Sequence, residues 1–379
     1  MPDPTPAVSI VIPAYHHEAF VGEAVRSALT QDFDPLEVIV VDDASPDGTS
    51  AVVEAFDDPR LRFFPQRQNG GISAASNLAL RECRGRFVAL LGSDDAMHPR
   101  RVAAQVAALE ADASLGAVFT GAEIIGDRGE PLDQEWPYAA EDRTREESLR
   151  WFFLKGNALC APSAMFRADA ARGMEFDPRL LQLQDYDFWV QMALAGHGFR
   201  ILPEKLTRYR VRSGGENTSA PNPEREARIQ FERIMVLRRF LAIRSAAEFA
   251  AIFPDHEIEG ALRDDLVPLY VALRALQGNP KPDLREFGLR ALFDFLGDPQ
   301  NAAAAAEAHG FRMADFFRLT GTSPLGHLSR AGGADAAKAD QARRDAEANL
   351  KEAKKAANKL EKEIARMKSA SLWKRLRGW

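Results

Sequence analysis

Leu90-Leu91-Gly92-Ser93-Asp94-Asp95 is an apolar run that ends in two adjacent carboxylates, and Val38-Ile39-Val40-Val41-Asp42-Asp43 repeats the pattern earlier in the chain. A β-branched run of this kind reads as a strand buried on both faces of a parallel sheet, where polar groups are excluded until the strand leaves the core. Both Asp pairs therefore belong at carboxyl ends of strands, the edge along which open α/β sheets bind ligands. Four acids at one rim repel one another, so the pattern calls for a divalent cation, or the donor groups of a ligand, to gather there. The first strand, Val8 to Ile12, runs into Pro13-Ala14-Tyr15. It brings a rigid turn and a ring able to stack on a base to the same rim.

Helical patterns at roughly 19–29, 50–56 and 72–81 lie between the strands, which predicts alternating strands and helices around a mainly parallel sheet. No GxGxxG opens a helix after the first strand and no GxxxxGK[ST] occurs, which argues against a dinucleotide oxidoreductase and a P-loop NTPase. The 379 residues suffice for two domains and an appendage, and a net charge of −6 argues against a general nucleic-acid binder. Cys83 and Cys160 lie far apart with no metal-ligand spacing, so a reducing cytoplasm is expected rather than a disulfide framework. Met1 to Ala7 is Pro-rich without an apolar signal core, and no apolar run reaches the ~18 residues of a membrane span.

Pro221-Asn222-Pro223 and Ala331-Gly332-Gly333 punctuate the chain. They predict an α/β domain at 1–222, a helical domain at 223–330 and a coiled-coil-like helix at 331–379. From Glu224 to about Phe317 apolar residues recur at helical spacing without chemistry of their own. That region is expected to close one side of an acceptor cleft, to contact partners or simply to pack. The last segment carries 13 Lys or Arg against 7 Asp or Glu, a basic tail on an acidic body. Its apolar residues, among them Ala339, Ala342, Ala346, Leu350, Ala353 and Ala357, step in threes and fours, a coiled-coil seam suited to a homo-oligomer. It ends in Leu372-Trp373-Lys374-Arg375-Leu376-Arg377-Gly378-Trp379, a composition suited to an anionic membrane surface or to a protein partner.

Five segments together resemble the family 2 glycosyltransferases, inverting enzymes of the GT-A fold that use nucleotide-sugars. They are Val8 to Tyr15, Val40 to Ser45, Asn69 to Asn77, Leu91 to Asp95 and Asp185-Tyr186-Asp187-Phe188-Trp189. Each is weak alone, but their order and spacing match the family, and the likeness runs from Val8 to about Ser219. The resemblance implies that Pro13 and Tyr15 wall the base, that Asp42 bonds the base edge with Asp43 beside it, and that Asn69, Gly70 and Gly71 form the loop under the nucleotide. It implies that Asp94 and Asp95 form the metal site for Mn²⁺ or Mg²⁺, Asp95 as the direct ligand and Asp94 nearer the ribose. Asp185 matches the catalytic base, with Asp187 the next acid to consider. Tyr209-Arg210-Val211-Arg212 resembles a segment that often reads Tyr-Arg-x-His near the diphosphate. The chain departs from the family pattern at Gln184, Ser76 and Arg212, where an acid, an Arg and a His are usual. Arg212 keeps a cationic contact for phosphate oxygens.

Inverting transfer is a single displacement at the anomeric carbon, with positive charge developing on the sugar. One carboxylate base on one face and one metal-stabilised leaving group on the other suffice, and oxygen ligands without a His or Cys cluster favour Mn²⁺ or Mg²⁺ over zinc. His16, His17, His98 and His197 have no second ligand at metal spacing and read as surface or satisfied residues. Phe188 and Trp189 read as core, because Tyr186, Trp189 or Val190, and Ala193 recur at helical spacing. The expected function is transfer from a nucleotide-sugar, a UDP-sugar first, to a polysaccharide, lipid-linked glycan or protein acceptor. Two alternatives stand beside it, a nucleotidyltransferase and a non-catalytic coiled-coil scaffold that binds sugar nucleotide.

Overall fold

The computed structural model describes residues 5–134, 137–138, 141–213 and 223–321. It opens with alternating strands and helices: β1 (Val8–Ala14), α1 (Val21–Leu29), β2 (Leu36–Asp42), α2 (Thr49–Glu54), β3 (Leu61–Pro65), α3 (Ile72–Glu82) and β4 (Phe87–Leu90). Then come β5 (Ala96–Met97), α4 (Arg101–Ala111), β6 (Leu115–Ile125), α5 (Arg145–Leu154), β7 (Met165–Arg167), α6 (Gln184–Leu194) and β8 (Gly198–Arg210). Helices follow: α7 (Pro223–Leu237), α8 (Ala246–Ile252), α9 (Val267–Leu276), α10 (Pro282–Leu296), α11 (Pro299–His309) and α12 (Met313–Gly321). Two compact units divide the chain, Met1–Met313 and Ala314–Trp379, so α7 to α11 share the first unit with the sheet. The coiled-coil-like helix and basic terminus expected at 331–379 lie outside the described residues, as does 322–330.

The eight-stranded sheet has the order β3-β2-β1-β4-β7-β6-β8-β5. The four strands β3 to β4 are parallel, which follows from their helical crossovers. β7 is antiparallel to both β4 and β6, β6 and β8 run parallel, and β5 closes the edge antiparallel to β8. The sheet is thus mixed: a parallel half joined to a half with antiparallel pairings. Every residue of β2 and β4 is buried, as the unbroken apolar runs require. One face of β1 and β2 packs on α1, whose Val21, Ala24, Val25, Ala28 and Leu29 recur at helical spacing and are all buried.

Strand order decides where a ligand can sit. β2 and β4 flank β1 on opposite sides, so the order reverses between β1 and β4, and a crevice opens beyond the carboxyl ends of these strands. The register aligns Ala14 with Asp42 and Val11 with Leu90, which puts Tyr15, Asp43 and Asp94 just past the ends of three neighbouring strands. The buried Glu37 of β2 has its own partners, Ser9 Oγ at 2.7 Å and Arg62 Nη1 at 3.1 Å, so it is a structural acid.

α6 is anchored by rings. Phe188 stacks on Phe176 with centroids 4.4 Å apart, and Trp189 meets Phe119 edge to face at 5.0 Å. Tyr186, Phe188, Trp189, Val190 and Ala193 are fully buried, as their spacing predicts. A second ring cluster, Phe153 with Phe240, Phe253 and Phe287, ties α5 to the following helices.

Candidate active site

The turns after β1 and β2 hold the first site residues under local strain. His16 and Ala44 take φ values of 57° and 58°, which residues with a Cβ rarely adopt. The His16 amide donates to Ser45 Oγ at 2.9 Å and joins the two turns. Tyr15 stays 47% exposed at the rim, beside the half-buried Pro13. Its ring face is therefore open to a planar ligand.

Asp42 and Asp43 are both buried, and each is satisfied by the protein's own donors. Asp42 accepts from the Ser45 hydroxyl and from Ser50 Oγ at 2.6 Å. Asp43 accepts the N–H groups of Gly70 and Gly71 at 2.8 and 2.7 Å, and its carbonyl accepts Asn69 Nδ2 at 3.1 Å. The reading of four mutually repelling acids is corrected here, because hydrogen bonds already hold this pair. The Gly70 and Gly71 amides, in the loop expected under the nucleotide, are likewise committed to Asp43. Gly71, at φ 84°, is the glycine this turn into α3 requires.

The other pair is held differently. Asp95 is 2% exposed and accepts the Arg210 N–H at 2.8 Å, and a Cβ at Gly92 would run into its carboxylate. Burial, and then the charge of Asp94, push the Asp95 carboxyl well above its usual range. Asp94 is more open and faces the ring of His17 at 3.8 Å. This places Asp95 inward and Asp94 toward the crevice. Arg210 is buried across β8, with Nε on Asp94 O at 2.6 Å, Nη1 on Gly126 O at 2.6 Å and Nη2 on Glu23 at 2.5 Å. It therefore braces the acidic turn, while Arg212 reaches the crevice.

His17 is the residue the sequence reading passed over. Its Nδ1 lies 2.7 Å from Ser93 Oγ and its Nε2 lies 3.2 Å from Arg212 Nη1. A guanidinium only donates, so Nε2 accepts and Nδ1 carries the hydrogen toward Ser93. Burial lowers the His17 pKa against the pull of Asp94, which keeps the ring neutral at pH 7. Nothing in its spacing signals this role; only the chain path after β1 brings it between Asp94 and Arg212.

Asp185 sits in the first turn of α6. Its Oδ1 accepts the Tyr186 N–H at 2.7 Å and its Oδ2 accepts Asn157 Nδ2 at 2.8 Å, while Asn157 Oδ1 is fixed by the Leu159 N–H at 2.9 Å. Burial pushes the Asp185 carboxyl up to about 6, and the bonds from Tyr186 and Asn157 pull against it. No neighbouring acid adds to the shift, as fits Gln184 in the preceding position. Asp187 is no rival. It is 2% exposed, with both oxygens forked by Arg239 at 2.8 and 2.9 Å. Burial, then Asp95, and more weakly Asp185 raise the Cys160 thiol, so both acids lie within electrostatic reach of one buried atom. Burial, with Cys160, Tyr209 and Asp185 nearby, also pushes the Tyr138 phenol up. Asn77, inside the glycine-loop motif, spends its amide on the backbone of Phe176, with both bonds at 2.8 Å, and so ties α3 to the approach to α6.

Among the described residues no group of three His, Cys, Asp or Glu gathers as a ready-made metal centre. The adjacent carboxylates of Asp94 and Asp95, one open to the crevice and the other buried beside it, fit a hard cation whose remaining ligands come from a diphosphate and water.

Comparison with known proteins shows what this chain is similar to. Residues 9–178 match the family model described as glycosyl transferase family 2. The chain is 26% identical over 210 residues to an uncharacterized glycosyltransferase of Methanocaldococcus jannaschii, a match that covers 54% of this chain and 71% of the relative. It is 33% identical to the chondroitin synthase of Escherichia coli over 56% of this chain and 30% of that one. It is 28% identical to Bacillus subtilis TuaG, a glycosyltransferase ascribed to teichuronic acid biosynthesis, over 54% of this chain and 79% of TuaG. Among solved structures, S. aureus TarS 1–349 in complex with UDP-GlcNAc superposes with a TM-score of 0.52 at 19% identity, covering 75% of this chain and 81% of that chain. At that identity the likeness speaks to the fold, which is of the GT-A type.

Proposed function

We propose, on the premise of the family 2 glycosyltransferase match over residues 9–178, that the chain transfers a sugar from a nucleotide-sugar to an acceptor hydroxyl with inversion. The observation that carries the reading is Asp185: a carboxyl pushed by burial to about 6, held by Asn157 and the Tyr186 amide, and close enough to the Asp94-Asp95 turn that Asp95 and Asp185 both act on the buried Cys160. A base that operates near neutrality wants a pKa near that value. The donor proposed first is a UDP-sugar, with Tyr15 and Pro13 walling the base. The acceptor class is a polysaccharide, a lipid-linked glycan or a protein, for which the similarity to a chondroitin synthase and to TuaG is the support.

In this mechanism Asp185 accepts the proton of the attacking hydroxyl while Arg212, steadied by His17, faces the diphosphate. Asp94 and Asp95 would hold Mn²⁺ or Mg²⁺, whose chemistry is to neutralise charge on the departing diphosphate oxygens. No protein acid is then needed to protonate the leaving group. Incubation with a panel of nucleotide-sugars tests the reading: nucleoside diphosphate and the transferred sugar are expected as products. Release of pyrophosphate instead would favour nucleotidyl transfer, and no turnover with any donor would favour a binding scaffold.

No described helix is long and apolar enough to cross a membrane. The tail supports a peripheral association with an anionic, cytoplasmic membrane face, since Lys374, Arg375 and Arg377 alternate with Leu372, Trp373, Leu376 and Trp379. Each cation near the surface contributes about 1 kcal/mol, screened by salt. Deleting Ser371 to Trp379 is expected to abolish co-sedimentation with anionic vesicles at low salt and to leave transfer to a soluble acceptor unchanged. If the full-length protein itself stays in solution with such vesicles, the terminus docks on a protein partner instead. A homo-oligomer through the coiled-coil seam is part of the same proposal.

A further inference from the structure

The segment that delivers Asp185 is irregular, and its own sequence does little to hold it. Between Asp177 and α6 the chain forms turns and bends, and Leu181 is 43% exposed. Its anchor comes from α7, about fifty residues later. Glu232 is 2% exposed, and its carboxylate accepts three successive backbone N–H groups: Leu181 at 2.9 Å, Gln182 at 2.8 Å and Leu183 at 2.8 Å. Three further bonds, one from α7 and two from the turn after it, repeat the link. Arg225 Nε donates to Gln182 Oε1 at 3.0 Å, and Arg239 forks Asp187 one turn into α6. A buried carboxylate on three amides is strongly committed, because charge-assisted bonds are short and leaving such donors unpaired is costly. Glu232 also breaks the apolar pattern of its helix, where Ile234, Val236 and Leu237 are buried.

We propose that Glu232 is a positioning residue for the transfer step: from the helical region it fixes the 181–183 turn in the shape that aims Asp185 at the acceptor hydroxyl. The proposal rests on the reading of Asp185 as the base. It gives the helices after residue 223 a role in catalysis, through α7, without any of them touching substrate. An error of about 1 Å in the placement of a reacting group can cost on the order of 10²-fold in rate. Binding of the donor depends on the turns after β1, β2 and β4 and on Arg212 past β8, none of which Glu232 bonds, and is untouched.

The test is steady-state kinetics of Glu232→Gln in the full chain, alone and combined with Asp185→Asn. The Gln side chain keeps the shape but turns an amide donor toward backbone donors. The single variant is expected to lose roughly 10- to 100-fold in kcat with donor KM within about twofold of wild type. In the Asp185→Asn background the same change should cost less than about threefold, because a missing base has no aim to lose. Should Glu232→Gln not fold, Glu232→Asp retains the charge one methylene short and should show the same kcat-selective loss on a smaller scale. Wild-type kcat in a folded Glu232 variant, a loss confined to donor KM, or full multiplication of the two losses would each overturn the role. A wild-type rate in Asp185→Asn alone would remove the base reading and this proposal with it, and that single variant reports it separately.

Discussion

Asp185→Asn is expected to lower kcat by about 10²–10⁴-fold while donor KM stays near its wild-type value, because the change keeps the shape of the side chain and removes the proton acceptor. The wild-type kcat/KM should fall on the acid side with an apparent pKa near 6, the value to which burial pushes this carboxyl. The variant should lack that limb. Stability gives an independent reading with a definite sign. A carboxyl whose folded pKa lies above its unfolded value of 3.8 contributes stability below that value and loses it as pH rises through the folded value. Wild type should therefore lose roughly 1–3 kcal/mol relative to Asp185→Asn between pH 4 and pH 7, a cost attached to a functional charge. Urea melts at the two pH values measure it. A collapse of donor affinity with kcat preserved would make Asp185 a binding residue, and the structure offers no second acid at Asp187, which Arg239 and Gln191 occupy.

The second large effect belongs to Asp95. Asp95 is buried and holds the Arg210 amide, so Asp95→Ala would disturb the fold as well as the site. Asp95→Asn is the cleaner change, since its amide oxygen still accepts that N–H. Turnover is expected to drop on the order of 10²–10³-fold, the usual cost of removing one preorganised electrostatic stabiliser. Metal-dependent binding of a nucleoside diphosphate should be lost with it, read by calorimetry with and without Mn²⁺. Asp94→Asn should weaken the same binding, because Asp94 faces the crevice beside His17 and Arg212. Full activity of Asp95→Asn, or of wild type in excess chelator, would remove the metal from the mechanism.

What the sequence revealed and what it hid divide along a physical line. The runs that became β1, β2 and β4 are legible because strands buried on both faces are nearly continuous in apolar residues, broken here by Ser9 and Glu37, which bond each other, and the helices between them start and end within a few residues of their apolar periodicity. The antiparallel half of the sheet is not legible. β5 and β7 have two and three residues, too few to show a period, and β6 pairs with β8 through three register shifts. Asp94, Asp95 and Asp185 are visible because the family motifs carry them. Their partners are invisible for a common reason. Asn157 lies 28 residues from Asp185, and Arg212 lies 195 from His17. Glu232 lies about fifty residues past the turn it holds. Such bonds are made by the topology, and no local pattern announces them.

The aspartates after β2 carry the same lesson in reverse. Read as charges, Asp42 and Asp43 ask for a cation, yet the fold answers them with two serine hydroxyls and two glycine amides. Asp95 is instead buried beside Asp94 with its carboxyl pushed well above the usual range, and Asp185 is the carboxyl pushed up to about 6, a value suited to proton transfer. Pairs of acids whose environments push them toward different tasks are a sign of a working site.

A single displacement with Asp185 as base fixes the stereochemistry of the product. Once the donor panel has identified a sugar nucleotide that turns over, the anomeric configuration of the newly formed linkage can be read from its proton coupling by NMR. Inversion relative to the donor is the result predicted here. A product that retains the donor's configuration would contradict the claim, because one base on one face of the sugar has no route to it.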